Sequence, residues 1–264
     1  MSLLTVHAHP DDEAIQGAGT VHRYTTEGMR TTLVCCTGGE QGEIQRPEMD
    51  RPEVHSNLAA VRREELRRSA EIIGYSDVRM LGYEDSGMAG TATTLNPRCF
   101  VKADLDEAVD RLVRIIQEVR PQVMVTYTHD ERVYPHPDHL KAHVVASEAF
   151  RVAGQRGERP YQPQRLFLLA WTRAPFVAAH KRFEELGLDS GISEAWLRFD
   201  GDDAEMTTHV AVDATIRRRG LWEHRTQYPP EQVFWRDLPE AEQALVYPYD
   251  DYIMAADTAG NPAP

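Results

Sequence analysis

The 264-residue sequence has few cysteines, no long hydrophobic run and much less positive than negative charge. Only Cys35, Cys36 and Cys99 occur, an odd number with no CxxC spacing, so we expect reduced thiols and a cytoplasmic protein. The opening MSLLTV is too short for a signal peptide and no apolar run approaches a membrane span, so we expect no membrane partner. The 42 acidic and 29 basic residues give a formal net charge of -13. This balance argues against a nucleic-acid partner and favours a small polar metabolite.

Short β-type runs alternate with amphipathic helical windows over the first two thirds of the chain. The predicted strands are LLTVHA, RTTLVCCT, DVRMLGY, QVMVTYT and RLFLLAW. We therefore expect a single domain, 1–264, with an α/β fold whose core, about 1–170, is a doubly wound, mostly parallel, Rossmann-like sheet. A smaller C-terminal α/β region, about 171–256, packs on this core, and 257–264 is expected to be a disordered tail. The sequence leaves the oligomeric state open, a homo-oligomer included.

Two clusters rich in histidine and aspartate follow the first and fourth predicted strands. The first contains AHPDDE and the second contains YPHPDHLKAH. Proline favours the first turn of a helix, which places His9 and His136 near helix starts, with Asp12 and His139 one turn further on. In a doubly wound sheet, ligands bind outside the carboxyl ends of the strands. Both clusters are therefore expected at one edge of the sheet.

The spacing predicts that His9, Asp12 and His139 bind one divalent cation and leave a coordination position open. Three protein ligands and one water are typical of a catalytic zinc site, although two histidines and a carboxylate also accept Fe²⁺. Helix starts often carry such residues only as caps, and His139 with His143 is an alternative pair at i, i+4 spacing. His143 lies a turn deeper, so packing is the favoured role for it. His7, inside the strand, is interpreted as a core histidine.

On AHPDDE and HPDH, the sequence resembles the LmbE/PIG-L family of zinc-dependent N-deacetylases and amidases that act on N-acylglucosamine derivatives. Further stretches, TGGEQGEIQRPEMD, VRREELRRSAEIIG and LGYEDSGM, are similar to the mycothiol S-conjugate amidases and mycothiol-precursor deacetylases of that family. The resemblance covers roughly residues 3–153, and EHRTQYPP and FWRDLP add thinner support nearer the conjugate amidases. It implies a hydrolase that cleaves the amide at the glucosamine nitrogen of a mycothiol-type conjugate. The alternative is a deacetylase of N-acetylglucosaminyl-inositol or another N-acetylglucosamine conjugate.

Two observations bear on how far this resemblance extends. The conjugate amidases carry a lysine three or four residues beyond the second aspartate of the motif, where this chain has Gln16. A non-catalytic sugar-binding module would be expected to lack the catalytic base, whereas Asp11 is present. The sequence therefore favours an enzyme and leaves its acyl substrate open.

The resemblance also implies roles for residues beside the metal ligands. Asp11 is expected to be the general base that takes the proton from the attacking water. His136 is expected to act as an imidazolium that stabilises the tetrahedral oxyanion or protonates the leaving amine, with help from Tyr134. Asp138 is expected to orient a neighbouring histidine.

Three further residues are implied as substrate contacts. Glu43 and Asp85 are expected to accept hydrogen bonds from sugar hydroxyls, and Arg62 to contact the inositol or an equivalent aglycone. The alternative for Arg62 is a solvated pair with Glu64 or Glu65. The alternative for Asp85 is that it caps its own turn.

Overall fold

The computed structural model of the chain describes residues 1–129, 135–229 and 238–259. Its strands form one sheet. They are β1 (Ser2–His7), β2 (Arg30–Thr37), β3 (Asp77–Tyr83), β4 (Val123–Tyr127), β5 (Arg165–Leu169), β6 (Thr208–Ala211) and β7 (Tyr249–Asp257). The strand order is β3-β2-β1-β4-β5-β7-β6. Strands β1 to β5 are mutually parallel, which confirms the predicted mostly parallel α/β fold.

The C-terminal region extends this sheet. Strand β7 pairs antiparallel with β5, and β6 pairs antiparallel with β7. Asp257, Thr258 and Ala259, at the start of the expected tail, take part in this edge. Asp257 pairs with Arg165, and the two following residues are hydrogen-bonded. Residues 260–264 lie outside the described part.

Ten α-helices surround the sheet in the described part of the chain. They are α1 (Asp12–Ile15), α2 (Ala18–Thr26), α3 (Pro52–His55), α4 (Leu58–Ile73), α5 (Leu105–Val119), α6 (Pro137–Val152), α7 (Ala174–Glu185), α8 (Glu194–Leu197), α9 (Thr215–Glu223) and α10 (Glu240–Val246). Two short 3₁₀ turns, Ala92–Leu95 and Phe100–Lys102, precede α5. None of the helices in these ranges is long and apolar enough to cross a membrane.

Local sequence explains several helix ends. Helix α4 ends where Gly74 adopts a left-handed φ of 101°. Helix α5 begins where the Asp104 side chain accepts a hydrogen bond from the Glu107 amide. Gly17, at φ 82°, separates α1 from α2. A Cβ at Gly17 would lie 3.3 Å from Leu169 and Tyr252, so the break fits close packing against the sheet.

The hydrophobic core lies on both faces of the central strands. The clusters rich in histidine and aspartate lie beyond the carboxyl ends of these strands. Every residue of β1 after Ser2 is buried, as expected for a parallel strand covered on both sides. The chain then turns into α1 with His9, Asp11 and Asp12 still buried. The sheet edge that carries the candidate site is therefore continuous with the hydrophobic core.

Candidate active site

The structure brings His9, Asp12 and His139 together although about 130 residues separate the two histidines. Asp12 lies between them. Its Oδ2 is 3.5 Å from His9 Nδ1, and its Oδ1 is 3.3 Å from His139 Nε2. One ligand atom from each residue lies within 4.8 Å of the other two. All three side chains are at most 12% exposed.

The chemistry of this donor set fits a divalent cation. Two imidazole nitrogens and one carboxylate oxygen are zinc ligands. Burial acts to lower the pKa of His9, but hydrogen bonds to Asp12 and Asp138 outweigh it and raise that pKa well above its usual value. Burial likewise acts to raise the pKa of Asp12, yet His139 and His9 hold it well below its usual range. The site therefore stabilises positive charge at the point where the three side chains meet.

The described residues contain a second group, His9, His136 and Asp138, whose ligand atoms also lie within 4.8 Å of one another. The carboxylate of Asp138 already has several donors. It accepts hydrogen bonds from the Ser86 amide at 2.9 Å and from the Ser86 hydroxyl, and it lies 3.2 Å from His9 Nε2. A carboxylate on the far nitrogen of a histidine is a common support for a metal ligand. We therefore favour His9, Asp12 and His139 as the metal-binding group, with Asp138 orienting His9.

Asp11 adjoins this group in a strained backbone conformation. Its φ is 116°, in the left-handed region that few residues other than glycine adopt. Its amide donates to Glu13 Oε2 at 2.9 Å, and its Oδ2 accepts a hydrogen bond from Arg62 Nη2 at 3.0 Å. Burial raises the pKa of Asp11 to about 6, although the positive charge of Arg62 opposes this shift. Strain of this kind is often found at functional sites.

Arg62 is held by partners that the sequence did not predict. Its side chain is buried, and its terminal nitrogens donate to the carbonyls of Gly39 and Pro10, each at 2.5 Å, and to Asp11. Its Nε is also buried and has no partner among the described residues. Arg62 lines the cavity, but its guanidinium holds the protein chain around Asp11. This geometry is not the solvated pair with Glu64 or Glu65, and the aglycone contact stays a prediction.

The surroundings of His136 favour a neutral ring. Burial and the neighbouring His9 lower the pKa of His136 to about 4, so the expected imidazolium is disfavoured at neutral pH. The Asp138 amide donates to His136 Nδ1 at 3.2 Å, and this assigns the ring proton to Nε2. His136 lines the cavity and can act as a hydrogen-bond donor without a charge. Tyr134, its expected helper, lies outside the described residues.

The remaining predicted residues occupy different environments. Glu43 is exposed at the cavity wall. Asp85 is buried at the same wall and accepts from the Gly87 amide at 2.8 Å, so it does cap its own turn while it lines the cavity. His143 Nδ1 lies 2.7 Å from the Tyr127 carbonyl, and His143 belongs to neither candidate metal group found among the described residues. His7 is buried within the core, as interpreted from sequence.

Sequence reasoning missed Tyr127, and it missed Ser86, which hydrogen-bonds to Asp138. The Tyr127 hydroxyl donates to Asp12 Oδ2 at 2.8 Å and accepts a hydrogen bond from the Ala8 amide at the same distance. Tyr127 is the last residue of β4, so its position at the carboxyl end of a central strand was a usable signal. Ser86, which binds Asp138, carried no comparable signal in the sequence.

The candidate ligands lie in a cavity of about 810 Å³ with two contrasting walls. The polar wall follows β2 and β3 and contains Gln41, Glu43, Asp85 and Thr93. The apolar wall follows β5 and contains Trp171, Phe176 and Trp196. Phe176 and Trp196 stack with ring centroids 4.6 Å apart. The volume lies within the range typical of small-molecule sites.

Comparison with known proteins relates the chain to a group of deacetylases and amidases. Residues 4–150 match the family model described as GlcNAc-PI de-N-acetylase, PIG-L. The mycothiol S-conjugate amidase of Streptomyces coelicolor is 35% identical, over 97% of this chain and 92% of its own length. The 1D-myo-inositol 2-acetamido-2-deoxy-alpha-D-glucopyranoside deacetylase of Thermobispora bispora is 39% identical over 85% of this chain and 78% of its own. The N,N'-diacetylchitobiose deacetylase structure from Pyrococcus horikoshii has a TM-score of 0.66 at 16% identity, covering 100% of this chain and 86% of that one, which shows a common fold.

Proposed function

The chain belongs to the PIG-L family of amide-hydrolysing enzymes, and on that premise we propose that it is a metal-dependent amidase acting on mycothiol-type conjugates. It cleaves the amide at the glucosamine nitrogen and releases the free amine and a carboxylic acid. The observation that carries this proposal is the meeting of His9, Asp12 and His139 beside the strained Asp11 at the floor of the cavity. Zinc is the expected metal, with Fe²⁺ as the alternative, and the cytoplasm is the expected location.

His9, Asp12 and His139 are the residues that would hold the cation. When bound there, a divalent cation supplies a polarised amide carbonyl and a water of lowered pKa. Asp11 accepts the proton of the attacking water as general base and later delivers it to the leaving nitrogen. Because Arg62 binds Oδ2 of this carboxylate, we assign Oδ1 as the oxygen that takes the proton.

His136 and Asp138 complete the proposed chemistry without carrying protons between steps. Neutral His136 donates its Nε2 hydrogen to the carbonyl oxygen as negative charge develops there, which stabilises the tetrahedral species. Asp138 keeps the His9 ring oriented through its 3.2 Å contact with Nε2. Both roles require fixed positions, which their burial supplies.

The two cavity walls favour an acyl group larger than acetyl. The candidate ligands follow β1 and β4, the polar wall follows β2 and β3, and the apolar wall follows β5. An amide at the centre therefore has hydrogen-bonding groups on one side and aromatic rings on the other. The glucosamine hydroxyls need the polar side, since burying them unpaired costs affinity. The acyl group then lies toward Trp171, Phe176 and Trp196, and this arrangement favours an S-substituted acetylcysteinyl group.

A kinetic comparison of two substrates tests this proposal. The metal-loaded protein is given N-acetylglucosaminyl-inositol and a bimane-labelled mycothiol conjugate, and kcat/KM is measured for each. We expect both amides to be cleaved and the conjugate to be preferred roughly tenfold or more, since even one methylene-sized group in an apolar pocket contributes about 1–3 kcal/mol. The opposite preference supports the deacetylase alternative. Failure to cleave either amide rejects the amidase proposal.

A further inference from the structure

The backbone of Asp11 is held by a chain of buried side chains that ends in the C-terminal region. We propose that Glu13, Ser69 and His224 are positioning residues that hold Asp11 in its left-handed conformation and so aim its carboxylate at the attacking water. This inference rests on the proposed function, in which Asp11 is the general base. It assigns a role in that reaction to residues that are not proposed metal ligands and that do not line the cavity in the described part of the chain.

The contacts run from the base to helix α9 in two steps. Glu13 Oε2 accepts the hydrogen bond of the Asp11 amide at 2.9 Å. The other oxygen, Oε1, accepts hydrogen bonds from the Ser69 hydroxyl and from His224 Nε2, the latter at 2.8 Å. Ser69 lies on α4, and His224 directly follows α9. Three separate elements thus meet at one carboxylate.

Glu13 and His224 form a charge-capable pair whose side chains are 0% exposed. A buried pair of this kind is weak evidence for stability, because apolar side chains of similar volume often stabilise a core as well or better. What the pair provides here is direction, since one carboxylate binds a specific backbone N–H and is itself fixed from behind. Asp11 needs such a contact, because its φ of 116° is unfavourable for a residue with a side chain.

The glycine at residue 220 favours the close approach of helix α9. A Cβ at Gly220 would lie 3.0 Å from the Ala14 Cβ and 3.1 Å from the Ser69 hydroxyl. The helix therefore packs tightly against α1 and α4 at the level of the network. This packing brings His224 to Glu13.

The same turn offers a matched control. Two residues after His224, Thr226 donates its amide and its hydroxyl to Glu65 at 2.8 and 2.7 Å. This second anchor is also buried and also fixes the end of α9 to α4. The described residues show no hydrogen bond between this anchor and Asp11 or Glu13. Loss of the Thr226 hydroxyl should therefore loosen the turn without releasing Asp11.

The kinetic test compares His224→Leu with Thr226→Val in the metal-loaded protein. We expect His224→Leu to lower kcat on the order of 10- to 100-fold while KM and metal content stay near wild type, since misplacing a reacting group by 1 Å can cost 10²-fold. His224→Gln, which keeps a donor for Glu13, should recover most of the loss. Thr226→Val should keep kcat within about twofold of wild type. Equal losses of kcat in His224→Leu and Thr226→Val, or no recovery in His224→Gln, would overturn the proposal.

Hydrogen exchange supplies a second readout that does not depend on activity. The Asp11 amide should exchange faster in His224→Leu than in wild type or Thr226→Val, measured on a peptide spanning residues 8–16. If His224→Leu does not fold, Ser69→Ala removes one donor to the same oxygen and should show both effects more weakly. Unchanged exchange and unchanged kcat in a folded variant would overturn the positioning role. An inactive wild-type protein would reject the amidase proposal instead, while the exchange measurement would still test the contact itself.

Discussion

Replacing Arg62 separates a role in holding Asp11 from a role in binding the aglycone. Arg62→Met removes the charge and all donors, whereas Arg62→Lys keeps the charge but has a single nitrogen. In the structure the guanidinium binds the Gly39 and Pro10 carbonyls and the Asp11 carboxylate at once. A lysine cannot reproduce this planar, forked geometry. Both substitutions should therefore damage the site, but to different extents.

The expected loss of stability depends on how many buried groups lose their hydrogen-bond or ion-pair partner. Arg62→Lys leaves at least one buried carbonyl unsatisfied, which costs about 1–3 kcal/mol of folding free energy. Arg62→Met breaks a buried ion pair, for which the usual cost is about 3–5 kcal/mol. At roughly 2–4 °C of Tm per kcal/mol for large domains, these values correspond to losses of roughly 2–12 °C and 6–20 °C.

The two variants also differ in the expected pH dependence. Burial raises the pKa of Asp11 and the positive charge of Arg62 lowers it. Without that charge the pKa rises further, so a higher pH is needed to form the carboxylate that acts as base. The acid limb of the kcat profile should move to higher pH in Arg62→Met and move less in Arg62→Lys.

Steady-state kinetics on N-acetylglucosaminyl-inositol and on N-acetylglucosamine, with thermal melting of each variant, provide the assay. If Arg62 holds Asp11, both substrates lose kcat by the same factor and the ratio of their KM values stays as in wild type. The reasoning is refuted if Arg62→Lys keeps its Tm and kcat and raises KM only for the substrate that carries inositol. That result would restore the aglycone contact implied by the family resemblance.

Three further predictions concern the metal, the base and the apolar wall. His139→Ala should lose bound metal, whereas His143→Ala should retain it, as measured by elemental analysis of the purified proteins; the reverse result would show that the ligands are misassigned. Asp11→Asn should lower kcat about 10²- to 10⁴-fold with metal content unchanged, and near-normal turnover would rule it out as the base. Trp196→Ala should raise KM for the bimane conjugate but leave KM for N-acetylglucosaminyl-inositol near wild type, and equal effects on both would argue against an acyl subsite at this wall.

The parallel strands could be predicted from the sequence because the residue pattern of each strand is local. Strand β2 is a run of mostly apolar and β-branched residues, and Gly74 marks the end of α4. Strand β7 was missed because two aspartates, which are typical of loops, directly follow its first residue. Their burial depends on distant partners: Asp250 accepts from Thr20 and Asp251 accepts from Thr172.

In the candidate site, too, features that depend on local spacing were predictable, and features that depend on distant partners were not. Helix-start spacing and strand order were enough to predict that His9, Asp12 and His139 converge, and the structure places their ligand atoms together. The partners of Arg62 could not be predicted, because they are two backbone carbonyls and one carboxylate brought together by three segments. The lowered pKa of His136 could not be predicted for a similar reason, since it follows from burial and from the nearby His9.

The strand order also determines when each strand can find its sheet partner during synthesis of the chain. The five parallel strands are complete once residue 169 has been synthesised, but β7, which covers the outer edge of β5, is encoded about 80 residues later. At translation rates of about 5–20 residues per second, that edge stays open for roughly 4–16 seconds. Strand β6 is made earlier, yet its sheet partner is β7, so it cannot pair in its native register until β7 has been made.

An uncovered strand edge can pair with strands of other chains. Production of this protein should therefore be most vulnerable to aggregation in that interval, and slowing synthesis between β5 and β7 should lower the soluble yield more than slowing it elsewhere.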